Sequence, residues 1–365
     1  MWSGGRAPPA AATDGDGRAP TGGGYPATIY SGMPSTGRAP SRRRIIAAFA
    51  AVYVVWGSTY LGIKLAAETL PPFLMAGTRF LVAGAILYLW SRRDAGEGLG
   101  GHTGERPARL TGAQWSLAFV VGVLLLFGGN GAVVWASHRI PTGSIALLIA
   151  ATPIWMVVID WLRPGGRRPG GAVAAGLVLG TAGLALLVDA RGGTGSGRVD
   201  LVSAAVVLLG SLSWALGSLA SRSRRMPRAA NLSTAIQMFG GGIVLVIAGL
   251  AVGEGRGFSF ADVSLRSALA WVYLVTFGSL VGYTAYIWLL GKVSAAKVAT
   301  YAYVNPIVAV LLGWAFAGEA VTSRMMLAAA VIVGAVALIT AGSTRSAAEP
   351  ASGGEPTAKR VADAA

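Results

Sequence analysis

From residue 45 to residue 341 the chain is a succession of apolar runs separated by short polar stretches rich in Arg and Gly. An α-helix rises 1.5 Å per residue, so roughly 20 apolar residues cross a hydrocarbon layer ~30 Å thick. Ten runs answer to that length, at residues 45–67, 71–90, 113–136, 142–162, 171–188, 199–220, 230–252, 268–290, 295–317 and 325–341. The fifth and tenth are the shortest and the richest in small residues. The pattern predicts an all-α integral membrane protein of ten transmembrane helices.

The flanks read differently. Residues 1–41 are rich in Gly, Pro, Ala and Ser and repeat Gly-Arg-Ala-Pro from Gly5, Gly17 and Gly37. Such a segment buries too little apolar surface to offset its chain entropy, so it is expected to be a disordered N-terminal tail. Residues 343–365 are expected to form a disordered C-terminal tail for the same reason. No apolar core follows the early Arg residues, so the N-terminal stretch does not read as a signal peptide.

Composition supports lipid as the solvent. Hydrophobic residues make up 54% of the chain and charged residues 12%, against about 25% charged in ordinary globular domains. The 53 glycines suit helices that approach closely through small side chains. With no cysteine, disulfides, thiolate metal sites and cysteine nucleophiles are excluded. A net charge of +15 would suit nucleic acid in a soluble protein. Here the basic residues sit in short loops, where they orient spans instead, and no nucleic-acid partner is expected. Of the 30 Lys and Arg residues, 22 fall on one side of the predicted spans and six on the other. The excess places both termini in the cytoplasm of a multi-pass protein of the cell membrane.

The halves resemble each other. An offset of 153 aligns Gly129 with Gly282, Trp135 with Trp288, Pro153 with Pro306, Ile154 with Ile307, Trp161 with Trp314 and Gly165 with Gly318. Five spans per half is an odd number, so the second half enters from the opposite face. The expected domains are two inverted five-helix repeats, residues 45–188 and 199–342, an arrangement that exposes one central site alternately to each side.

Pro153 and Pro306 stand about twelve residues into their spans, near the bilayer middle, and are the candidate hinges. Trp56, Tyr60, Lys64 and Glu68 recur at intervals of four, and so do Lys297, Tyr301 and Asn305. Each set defines a helix face that lipid cannot satisfy, so both should point inward. Asn130, Trp155, Trp214, Gln237, Tyr283 and Tyr286 are further polar or amphipathic residues at depth.

Arg79 lies about 12 Å inside the second span, where an unpaired cation costs at least ~2.5 kcal/mol. Pairing with Glu68 and binding an anionic substrate group are both open to it. Lys64 can pair with Glu68, Asp160 with Arg163, and Glu319 with Arg324. Trp90, Trp115, Trp161, Trp271 and Trp314 read as interfacial residues at span ends. No Asp or Glu lies deep in a span, so nothing points to ion coupling. No residue spacing suggests a metal site, a cofactor or a phosphate loop. An enzyme would need a positioned nucleophile or acid–base pair, which is lacking.

The stretch Trp56-Gly57-Ser58-Thr59-Tyr60, with Pro71-Pro72 and Gly77-Thr78-Arg79-Phe80, resembles the opening of EamA-type proteins of the drug/metabolite transporter superfamily. The ninth span, from Ala295-Ala296-Lys297 through Asn305-Pro306 to Gly313-Trp314 and Gly318-Glu319, resembles the matching part of that family. The resemblance implies ten helices in two inverted repeats around a cavity, and export or exchange of small organic solutes, amino-acid-like or drug-like. It makes Trp56, Arg79, Lys297, Asn305, Pro306 and Glu319 positions of the family pattern. The expectation is a solute transporter working by alternating access. Its cavity is expected to be lined by Trp56, Tyr60, Arg79, Asn130, Trp155, Trp214, Tyr283, Lys297, Tyr301 and Asn305. A non-transporting membrane sensor or assembly scaffold is the alternative.

Overall fold

The structure is a computed structural model that describes residues 41–96, 110–163, 168–189, 199–227, 229–293 and 295–348. Residues 1–40 and 349–365, most of the two expected tails, lie outside the described residues.

Among the described residues eight helices are long and apolar enough to cross a membrane. They are α1 (Arg42–Ala66), α2 (Pro72–Arg93), α3 (Gly112–Ala136), α4 (Thr142–Leu162), α6 (Leu201–Ala220), α7 (Ala230–Ala251), α8 (Leu265–Leu290) and α10 (Ser323–Gly342). Two shorter apolar helices complete the set among the described residues, α5 (Gly171–Leu187) and α9 (Tyr301–Ala317). The chain is thus a multi-pass helical membrane protein.

Helix starts follow local chemistry. Thr111 and Gln114 form a reciprocal capping box on α3. Asp200 accepts from the Ser203 N–H at 2.8 Å and caps α6, while Ser264 accepts from Ser267 N at 3.1 Å and caps α8. These oxygens satisfy amide groups that a helix leaves unpaired at its first turn.

Two spans differ in length from the hydropathy reading. The tenth is longer than expected, because Thr322 Oγ1 accepts from Met325 N at 3.2 Å and starts a helix with two polar residues that hydropathy leaves out. That helix continues to Ala348, into the segment expected to be a tail. The ninth is shorter, because a separate turn of helix at Ala295–Val298 precedes it and the chain breaks at residues 299–300.

The fourth span is also broken, into Thr142–Ile149 and Thr152–Leu162. Pro153 sits in the first turn of the second piece, where its missing N–H costs nothing. Pro306 lies inside α9, one and a half turns after the break. The two prolines therefore occupy different places relative to the interruption of their helices.

Alternation of the helices brings the ends of α1, α3, α5, α7 and α9 to one end of the bundle. Contacts there confirm it: Lys64 meets Glu319, Glu254 meets the start of α2, and Arg324 donates to the carbonyls of Leu186 and Val188. We call this the Glu319 end and the opposite one the Arg93 end. In the bundle α2 packs on α7, α5 on α10, α1 on α8 and α9, and α6 on α3 and α4, with α4 against α9. A two-residue parallel pairing of Val188–Asp189 with Val199–Asp200 joins the end of α5 to the start of α6.

Candidate functional site

Among the described residues three helices contain π-helical stretches, Ala51–Val55 in α1, Val123–Asn130 in α3 and Leu274–Tyr283 in α8. Such widened turns shift the side chains that follow them and occur often at functional sites. Asn130 and Tyr283 are the last residues of the second and third stretches, and both face the same cavity. Trp56 follows directly after the first stretch.

The two tryptophans at the centre are seated on glycines. A Cβ on Gly282 would stand 2.6 Å from Trp56 Nε1, and a Cβ on Gly129 would stand 2.6 Å from Trp214 Cε3. No larger residue fits at either place without displacing an indole. Trp56 of α1 thus rests on α8, while Trp214 of α6 rests on α3. Their rings meet edge to face at 5.4 Å, and Trp56 Nε1 donates to the Gly278 carbonyl at 3.3 Å.

Around them lies a cavity of about 70 Å³, several times the ~10–15 Å³ that one water requires. Toward the Arg93 end an aromatic cluster bounds it. Tyr286 packs 4.8 Å from Trp56, its hydroxyl accepts from Trp214 Nε1 at 3.0 Å, and it shares a 2.6 Å hydrogen bond with Ser218. Tyr301 meets Trp56 at 5.5 Å. Tyr283 donates from its hydroxyl to Gln237 Oε1 at 2.7 Å.

Arg79 reaches the cavity from α2 and is 3% exposed. Its Nη2 donates to Asn130 Oδ1 at 3.3 Å, and its guanidinium lies 4.1 Å from the Phe80 ring centre. Nε and Nη1 have no hydrogen-bond partner among the described residues, and neither does Asn305 Oδ1 on the facing α9. Pairing of Arg79 with Glu68 does not occur. Glu68 lies beyond the end of α1, half out in solvent, and meets Arg266 at 3.6 Å instead.

Toward the Glu319 end a carboxylate closes the bundle. Gly318, with φ 63°, ends α9 in the left-handed conformation and turns Glu319 back over the helices. Glu319 accepts from Thr142 N at 2.9 Å, Thr142 Oγ1 at 2.8 Å and Lys64 Nζ at 2.6 Å. Lys64 therefore pairs with Glu319 and not with Glu68, since α1 stops at Ala66 and the i,i+4 spacing no longer stacks the two. Glu319 in turn does not pair with Arg324, which is committed to the end of α5. The expected Asp160–Arg163 pair is present. Trp90, Trp115, Trp161 and Trp314 are exposed, whereas Trp271 packs inward and donates to the Met75 carbonyl at 3.2 Å.

Of the ten residues expected to line a cavity, eight do so together: Trp56, Tyr60, Arg79, Asn130, Trp214, Tyr283, Tyr301 and Asn305. Trp155 does not, because its indole N–H donates to Ser211 at 2.9 Å and its ring packs toward α5 and α10. Lys297 does not either, because the break at residues 299–300 takes it off the face of Tyr301 and leaves it exposed. Thr59, Ile63, Phe80, Leu126, Val133 and Ile149 line the cavity without having been expected. Each lies within one turn of an expected residue on its own or a neighbouring helix, but an apolar side chain in a membrane sequence carries no sign of which way it faces.

The sequence profile described as the EamA-like transporter family matches this chain twice, at residues 43–189 and 201–341. The uncharacterized inner membrane transporter YedA of Escherichia coli (strain K12) is 38% identical over 299 residues, covering 82% of this chain and 91% of its own length. A probable amino-acid metabolite efflux pump of the same organism is 24% identical over 289 residues, covering 77% and 90%. A crystal structure at 19% identity and TM-score 0.56, covering 82% of this chain and 98% of its own, shares the fold. The chain belongs to the EamA-like transporter family, and it is a transporter rather than an enzyme.

Proposed function

We propose that the protein moves small organic solutes, amino-acid-like or drug-like, across the cell membrane by alternating access to the cavity around Trp56 and Trp214. The observation that carries this reading is the exchange of supports between the halves. The tryptophan of each half rests on a glycine of the other, at positions 129 and 282 that the offset of 153 already pairs. The helix packing supports it further: the scheme α2–α7, α5–α10, α4–α9, α1 with α8 and α9, and α6 with α3 and α4 is unchanged when every helix is exchanged for the one five places on. Such a contact scheme is what two inverted repeats related by a twofold axis in the membrane plane produce.

In this reading residues 45–188 and 199–342 are the two repeats, and the Arg93 end is cytoplasmic with both termini. The Glu319 clamp holds the outer side closed and the Trp56–Trp214–Tyr286–Tyr301 cluster the inner. Opening to either side parts one of them while the other stays. The breaks beside Pro153 and before Pro306 leave α4 and α9 with fewer backbone hydrogen bonds at those points, so they serve as hinges. The efflux pump of Escherichia coli noted above favours amino-acid-like solutes and outward movement.

Solute flux into proteoliposomes, assayed across a panel of metabolites, is the direct test. Trp56→Ala removes a wall of the cavity and is expected to lower flux by roughly tenfold or more, equivalent to about 1.4 kcal/mol or more. Absence of flux throughout the panel, with an unchanged export phenotype for Trp56→Ala in cells, contradicts transport.

A further inference from the structure

Glu319, Glu254 and Arg222, at the ends of this bundle, each hold two or more hydrogen bonds to protein groups. Glu319 takes donors from Lys64 and twice from Thr142. Glu254 accepts from Phe73 N at 3.1 Å and Leu74 N at 2.9 Å, and Arg222 donates to the carbonyls of Leu290 and Val293. Arg79 is the exception. At 3% exposure it is more buried than any of these, yet among the described residues one 3.3 Å hydrogen bond is all that its five N–H donors make. An arginine placed only to join α2 to α3 would be expected to use its remaining donors on nearby carbonyls, as Arg222 and Arg324 do.

We infer that Arg79 is the receptor for a solute carboxylate, so that the transported class is small organic monocarboxylates, amino acids included, with an apolar or aromatic body. The inference rests on the transport reading above and narrows it. A guanidinium presents its N–H groups as forks that match the planar carboxylate, and burial strengthens such pairs. Among the described residues that line the cavity Arg79 is the one cationic side chain, and none is acidic. One positive charge balances one carboxylate; a phosphate dianion would be left with an uncompensated charge at depth. The remainder of the wall suits an apolar body, with Trp56, Tyr60, Trp214 and Tyr301 presenting ring surface. Asn305 Oδ1, buried on the opposing α9 and without a partner among the described residues, offers an acceptor to a solute N–H or O–H, such as an α-ammonium group.

The test compares probes of one shape that differ in the head group: 3-phenylpropanoate, 3-phenylpropanamide, 3-phenylpropylamine and 2-phenylethyl phosphate. Binding to the purified full chain is measured by calorimetric titration, and flux in proteoliposomes. The carboxylate is expected to bind roughly tenfold or more tightly than the amide, as for loss of a charged hydrogen-bonded partner, and the amine and phosphate more weakly still. Arg79→Gln is expected to abolish the preference for carboxylate over amide, and Arg79→Lys to retain part of it.

Equal binding of carboxylate and amide, tighter binding of the phosphate or amine, or an unchanged preference in Arg79→Gln overturns the assignment. If Arg79→Gln does not fold, the wild-type head-group series and Arg79→Lys still decide. Flux of the amide or amine without the carboxylate refutes the carboxylate class and leaves transport standing. Absence of flux for every head group across a matched panel of acids and amides removes the transport reading itself.

Discussion

A carboxylate withdrawn from water must find donors, and Glu319 finds them on two helices at once. Its side chain is 8% exposed and that of Lys64 31%, so the pair is screened less than a surface ion pair. A double-mutant cycle with Lys64→Met and Glu319→Gln, followed by unfolding in mixed micelles, is expected to give a coupling of about 1–2 kcal/mol. Additive effects would show that the two do not act together. Asp200 makes a different prediction. The Ser203 N–H holds its carboxyl below the usual carboxylate range, so its contribution to stability is full above the unfolded value and fades as pH falls through the folded one. Asp200→Ala is expected to cost about 1 kcal/mol at neutral pH, with the deficit shrinking below about pH 4 in thermal unfolding. At this scale the aromatic and polar residues at helical spacing were legible: Trp56, Tyr60, Tyr301 and Asn305 do share a cavity. The partners of charged residues were not, since Lys64 and Glu319 stand 255 residues apart and their meeting depends on packing that local spacing does not encode.

Elements show where spacing arguments fail. The i,i+4 rule put Lys297 beside Tyr301, but the helix is interrupted between them. Proline marked Pro153 and Pro306 as equivalent, yet one starts a helical segment and the other lies within one. The π-helical stretches of α3 and α8 left no mark in composition, although Gly129 and Gly282 within them had already been paired by the offset of 153. Those glycines now have a physical role, because any side chain there collides with an indole. Gly282→Ala and Gly129→Ala are therefore each expected to displace a tryptophan and lower solute flux by roughly tenfold, while destabilising the fold by only about 1–3 kcal/mol. Flux at the wild-type level in both variants would show that the seating of the tryptophans is immaterial.

For the whole molecule, hydropathy was the stronger guide. Lipid leaves a spanning segment few options other than a helix of sufficient length, and among the described residues eight of the ten expected runs form helices long enough to span while the other two form shorter apolar helices. Which helix packs on which was not legible, because apolar faces of similar composition do not declare their neighbours. The account depends on two five-helix units running in opposite directions about one cavity. The chain contains no cysteine, so single cysteines can be placed on the natural background and labelled with a membrane-impermeant thiol reagent in intact cells and in inverted vesicles. Arg93→Cys and Arg225→Cys are expected to react only from the cytoplasmic side, and Arg139→Cys and Arg256→Cys only from the outside. Labelling of positions 93 and 225 from opposite sides of the membrane would contradict the inverted pairing and the transport mechanism built on it.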